Sequence, residues 1–137
     1  MRKFFLLTYM LLLTAAAAAR VLPVGSGGYA NLEAAAAAAL PGDTILFRSG
    51  THAGGAYVAN LQGRADAWIT ITGEAGALIS GGGNAFQLTD PAYLRITRLA
   101  FDGQTGNGLN IDDGGSYDTP AFHLLIEDCE WRGINAT

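Results

Sequence analysis

The densest chemistry in this sequence lies between positions 110 and 118, where Asn110, Asp112, Asp113 and Asp118 share a stretch with Gly114 and Gly115. Hard cations such as calcium take several oxygen ligands, and a loop with three aspartates can supply them. The spacing matches no EF-hand, which needs ligands at alternate positions and a closing glutamate. A plain solvated turn is the competing reading. Paired aspartates can also act as acid and base when held about 6.5–9.5 Å apart, a distance that only the fold can set. His52 and His123 have no second histidine or cysteine at metal-ligand spacing, so both read as polar turn residues. Gly25, Ser26, Gly27 and Gly28 precede a helix but lack the lysine and hydroxyl residue of a phosphate-binding loop.

The elements that would carry these groups emerge from self-comparison. Ile69, Thr70, Ile71 and Thr72 align with Leu94, Arg95, Ile96 and Thr97, and these with Leu124, Leu125, Ile126 and Glu127. Residues 94–103 map onto 124–133 without a gap, placing Leu99 under Cys129 and Phe101 under Trp131. Fainter copies are Ile45, Leu46 and Phe47, then Leu78 and Ile79. Between them fall short strand candidates at Tyr57 and Val58, at 85–88 and at 109–111. Repeats of this length mean a stacked array, and the lack of 3.6-residue periodicity after Leu40 makes it a β array. Glycine-punctuated runs of β-branched and aromatic residues agree. A jelly roll would need antiparallel hairpins, against which the register of Leu94 and Leu124 speaks.

In such a coil alternation turns Leu94, Ile96, Leu99 and Phe101 inward and Thr70, Arg95, Thr97, Asn110, Asp112 and Glu127 outward. Arg95, Arg98 and Arg132 are the arginines within the repeats, and Glu127 falls close to Arg95 one coil on. A surface ion pair, worth little, is one reading of Arg95 and Glu127; substrate contact by Arg95, Glu127 and Asn110 is the other. Cys129 reads as a small buried hydrophobe and Trp131 as an aromatic stack over Phe101. Trp68 and Tyr93, each just before a strand, either flank the core or serve as platforms on which sugars stack.

One stretch is not β. Asn31, Leu32 and Glu33 lead into six alanines and Leu40, a strong helix former with Asn31 as N-cap and Pro41 and Gly42 as the stop. The first coil of a solenoid exposes an apolar end and strand edges that need covering. This small-residue helix is placed to cover them.

Met1, Arg2 and Lys3 precede an apolar run over 4–13 and an alanine tract with several Ala-x-Ala options. This predicts a secretory signal peptide over 1–19 and one domain over 20–137. A membrane span would want roughly 20 apolar residues; an uncleaved anchor is the alternative. Cleavage would remove two of the eight basic residues and none of the twelve acidic ones, taking the net charge from −4 to −6. A lysine-free acidic remainder argues against nucleic acid and against an anionic membrane surface. The single cysteine excludes an internal disulfide framework.

The run from Asn31 through Leu40, Pro41, Gly42, Asp43, Thr44 and Ile45 to Arg48, Ser49, Gly50, Thr51 and His52 resembles the N-terminal cap and first strand of the pectate-lyase-like right-handed β-helix superfamily. It is most similar there to the chondroitinase B and alginate lyase family of polysaccharide lyases. The strings around Ile69, Leu99 and Ile126 look like successive coils of such proteins. The resemblance covers nearly all of 22–134. It implies an all-β, right-handed parallel β-helix of about three to four coils with an N-terminal capping α-helix. The family runs to many more coils, so the chain is expected to be a truncated or N-terminal portion.

The resemblance further implies β-elimination on an acidic polysaccharide, with a base near the sugar C5 proton and positive charge on the uronate carboxylate. Arg95 is then the catalytic candidate, Arg95, Glu127 and Asn110 are the substrate-binding candidates, and calcium is the implied metal, with Asp112, Asp113 and Asp118 as its ligands. The only lysine is Lys3, so a lysine base is missing and an incomplete active site is expected. A non-catalytic glycan- or protein-binding module, exported to the periplasm or the cell exterior, is the alternative. Self-association through an uncapped C-terminal coil is a further expectation.

Overall fold

The computed structural model describes residues 18–115 and 120–135. The expected signal peptide falls almost wholly outside them, as does Asp118. Among the described residues are twelve short strands and one helix, wound into a right-handed parallel β-helix of about four turns. The strands are β1 (Val21–Val24), β2 (Thr44–Phe47), β3 (Gly50–Ala53), β4 (Ala56–Ala59), β5 (Ile69–Gly73) and β6 (Ala77–Ser80). Then follow β7 (Phe86–Thr89), β8 (Ala92–Thr97), β9 (Ala100–Asp102), β10 (Leu109–Asp112), β11 (Phe122–Glu127) and β12 (Glu130–Arg132). They stack as sheet A (β1, β2, β5, β8, β11), sheet B (β3, β6, β9, β12) and sheet C (β4, β7, β10).

Every strand pairing is parallel, and the register follows the repeat. Leu22, Ile45, Ile71, Ile96 and Ile126 form one inward column on sheet A. His52, Ile79, Phe101 and Trp131 form another on sheet B. Inside, Phe47 stacks on Phe86 at 5.6 Å, Phe86 meets Phe101 edge-on at 5.4 Å, and Phe101 stacks on Trp131 at 5.6 Å. Aromatic contacts of this kind add about 0.5–1.5 kcal/mol each beyond area burial, so the column ties three faces into one core.

The helix α1 spans Leu32–Ala38, shorter than the run to Leu40 predicted from alanine content. Two local effects end it early. Leu40 precedes Pro41, which disfavours helical backbone at Leu40, and the Leu40 N–H donates to Asp43 Oδ2 at 2.8 Å. The Asn31 side chain accepts from Ala34 N at 2.9 Å, the expected cap. Leu32 and Ala35 are buried where α1 lies against β1, β2 and β4, closing that end of the solenoid. No helix of the described residues is long and apolar enough to cross a membrane.

Candidate functional site

Sheet A presents two outward rows. One runs Thr44, Thr70, Arg95, Leu125 and the other Leu46, Thr72, Thr97, Glu127. Arg95 and Glu127 are diagonal neighbours with Nε 3.6 Å from Oε1, and each side chain is 46% exposed. Such a pair contributes about 0–1 kcal/mol, which leaves both groups available to a ligand. Thr97, expected on the solvent face, is only 8% exposed, and Thr72 only 3%. Arg98 lies back over this end of the strands, its Nε donating to Thr72 Oγ1 at 3.3 Å.

At the other ends of the same strands stands an aromatic rail. Trp68 meets Tyr93 edge-on at 5.8 Å, and Tyr93 stacks on His123 at 4.7 Å with planes 16° apart. Phe122 packs against both Tyr93 and His123 at 5.3 Å. Tyr93 and His123 hold φ of 49° and 52°, the left-handed region that bulky side chains avoid. This backbone turn accompanies the face-to-face meeting of residues one coil apart. His123 is therefore a strand residue in an aromatic stack, not the polar turn residue expected. His52 likewise lies in β3, edge-on to Phe47 at 5.0 Å with Nε2 2.7 Å from Arg48 O.

Asn110 and Asp112 are on a different face, sheet C, so the structure does not join Asn110 to Arg95 and Glu127. Their hub is Gln87: its Oε1 accepts from Asn110 Nδ2 at 2.6 Å and from Asn84 Nδ2 at 2.9 Å, while its Nε2 donates to Asp112. Asp112 Oδ1 also accepts from Gly114 N at 3.0 Å, and Asp113 Oδ1 from Gly115 N at 2.9 Å. The Gly114 N–H first, then the Thr89 hydroxyl and the Gln87 amide, hold the Asp112 carboxyl below the usual range against the opposing effect of burial. Among the described residues no group of three or more His, Cys, Asp or Glu gathers where it could hold a metal.

Cys129 is half-buried against the core as expected, and burial pushes its thiol up. Trp131 stacks on Phe101 but remains 44% exposed.

The sequence reading missed a groove of about 720 Å³ at the corner where sheet A turns into sheet B. Its cause is a difference in corner length. Five residues separate the register positions Thr72 and Leu78, against two between Thr97 and Ala100 and two between Glu127 and Glu130. The longer corner overhangs the two shorter ones. Counting residues between aligned strands could have found it. No family model, no curated protein and no solved structure matches the chain.

Proposed function

We propose that this chain is an exported carbohydrate-active β-helix that binds an acidic polysaccharide along sheet A. The observation that carries the reading is the combination on one face of a central, weakly paired Arg95 and an aromatic rail along its edge. A guanidinium recognises a uronate carboxylate through planar paired hydrogen bonds. Aromatic side chains offer apolar contact to the C–H faces of pyranose rings. The partly exposed hydroxyls of Thr44 and Thr70 add donors and acceptors to sugar hydroxyls.

β-elimination is the second reading, favoured by His123. It is exposed and borders the same face as Arg95, and histidine is the commonest general base in enzymes. In that chemistry Arg95 would neutralise the uronate carboxylate while a base removed the C5 proton.

The test is calorimetric titration of the folded protein with tetramers of mannuronate, guluronate, glucuronate and galacturonate, with and without calcium. Ultraviolet absorbance of unsaturated product is followed in parallel. Binding that weakens with salt and falls about tenfold in Arg95→Gln supports the reading. Absence of binding to every uronate overturns it. Absorbance growth would raise the second reading above simple binding.

A further inference from the structure

We infer that the corner groove between sheets A and B is a second sugar subsite, and that it takes an uncharged, hydroxyl-rich pyranose unit rather than a uronate. The inference rests on the glycan reading of sheet A and specifies a different unit of the same ligand class.

The groove is a built feature. Its roof, the corner over 73–77, is tied back to the preceding coil: Glu74 N donates to Phe47 O at 2.8 Å, Ser49 N to Glu74 Oε2 at 2.8 Å, and Ser49 Oγ to Ala75 O at 2.6 Å. Its floor is apolar, with Leu78 and Ala100 half-buried and Leu99 2% exposed. Arg98 enters from the sheet A side with φ of 54°, fixed through Nε on Thr72. Among the described residues Arg98 forms no ion pair, unlike Arg95 and Arg132. Asp128 and Glu130 form the far wall, with Glu130 Oε1 3.4 Å from Arg132 Nε. A volume of 720 Å³ falls in the range of small-ligand sites, about 300–1,000 Å³.

Charge selects the occupant. Glu74, Asp128 and Glu130 set three carboxylates against the two guanidiniums of Arg98 and Arg132, so a uronate entering the groove meets net repulsion. A pyranose bearing only hydroxyls meets none. Its hydroxyls donate to the carboxylates and accept from the guanidiniums, since each hydroxyl does both. Its C–H face lies on Leu78 and Ala100. The groove borders Thr72 and Leu46 on sheet A, so one glycan can place an acidic unit at Arg95 and a neutral unit beyond the corner.

The experiment is amide NMR of the full chain titrated with neutral gluco-, manno- and galacto-configured tetrasaccharides, and with the uronate oligomer of each configuration. The expected result is that at least one neutral oligomer moves the Gly76, Arg98 and Asp128 signals, whereas its uronate counterpart moves those of Thr70 and Arg95. Glu74→Gln combined with Asp128→Asn should weaken the neutral oligomer about tenfold, and Arg98→Lys should also weaken it, with circular dichroism unchanged in both. A neutral panel that leaves the groove signals unmoved overturns the inference, as does a uronate that moves them as strongly as its neutral counterpart. The uronate response at Thr70 and Arg95 tests the sheet A reading separately, so either can fail while the other stands.

Discussion

Asp43, with a side chain 3% exposed, binds the start of β1 and the end of α1 at once: its carboxylate accepts from Arg20 Nη2 at 2.6 Å, Arg20 N at 2.9 Å and Leu40 N at 2.8 Å. Arg20 also donates to Ala38 O at 2.8 Å, so the pair closes the open carbonyl end of the helix. The Arg20 guanidinium, then the Leu40 and Arg20 N–H groups, outweigh burial and hold Asp43 at about 2, below the ordinary 3.8. A carboxylate lowered by folding stabilises the fold fully above its unfolded pKa and loses that contribution as pH falls through the folded one. Thermal unfolding should therefore show a loss of stability between about pH 4 and pH 2. Asp43→Asn should remove that component and lower stability at pH 7 by about 1–3 kcal/mol. A wild-type acid limb unchanged by the substitution would refute the latch.

Position along the axis should decide the cost of one and the same truncation. Ile96 and Ile126 are register partners in a single inward column, yet Ile96 is 1% exposed and Ile126 41%. Ile96→Ala should cost about 3 kcal/mol through lost burial and a cavity. Ile126→Ala should cost about 1 kcal/mol, because its neighbours and solvent already reach it. Urea unfolding of both variants measures the difference, and equal costs would contradict the column.

That column was legible in the sequence because alternation and a fixed repeat depend only on residue order. The 25- and 30-residue spacings between Ile71, Ile96 and Ile126 set the register of sheet A without further information. What stayed hidden depends on chain path between strands. Thr72 and Thr97 alternate outward, but whether an outward residue is covered depends on the next corner, as where Arg98 reaches back onto Thr72. The end of α1 was misplaced because alanine propensity says nothing of an acceptor at Asp43. Asn110 and Arg95 look like partners in a list of outward polar residues, yet three strands per turn put them on different faces. The groove escaped notice because strand alignment discards corner length, the quantity that makes it.

Gln104 is the polar staple of the interior. It is 1% exposed, and its Nε2 lies 3.1 Å from the carbonyl oxygens of Ile79, Gly81 and Asp102, gathering backbone acceptors from two successive coils. Gln104→Met should remove this donor from all three oxygens, of which Asp102 O keeps the Gly81 N–H at 2.9 Å, and cost about 1–3 kcal/mol. Gln104→Glu should be worse at neutral pH, because a carboxylate would face three carbonyls in a buried site. Folding then favours the protonated acid. A pKa raised by folding gives stability that is present below the unfolded value of about 4 and lost as pH rises. The Glu variant should therefore unfold at lower urea at pH 7 than at pH 4, relative to wild type. Parallel behaviour of the two proteins would rule out the staple.

The rail offers the last test, since its strain and its stacking can be separated. Tyr93 holds a left-handed backbone at φ 49° while its ring contacts Trp68, Phe122 and His123. Asparagine tolerates that backbone far better than tyrosine, so Tyr93→Asn removes the rings' contacts while relieving the strain. If the stack stabilises the coil, the variant should lose about 1–2 kcal/mol despite the relief, a few contacts at about 0.5–1.5 kcal/mol each. In a Trp131→Phe background the remaining indole fluorescence reports Trp68 alone among the described residues. Its emission should shift towards that of exposed indole in Tyr93→Asn and should respond to a bound uronate oligomer in the parent. An Asn variant as stable as the parent, with unchanged emission, would mean that the rings merely lie close together. The edge of sheet A would then have no rigid aromatic surface to offer a sugar.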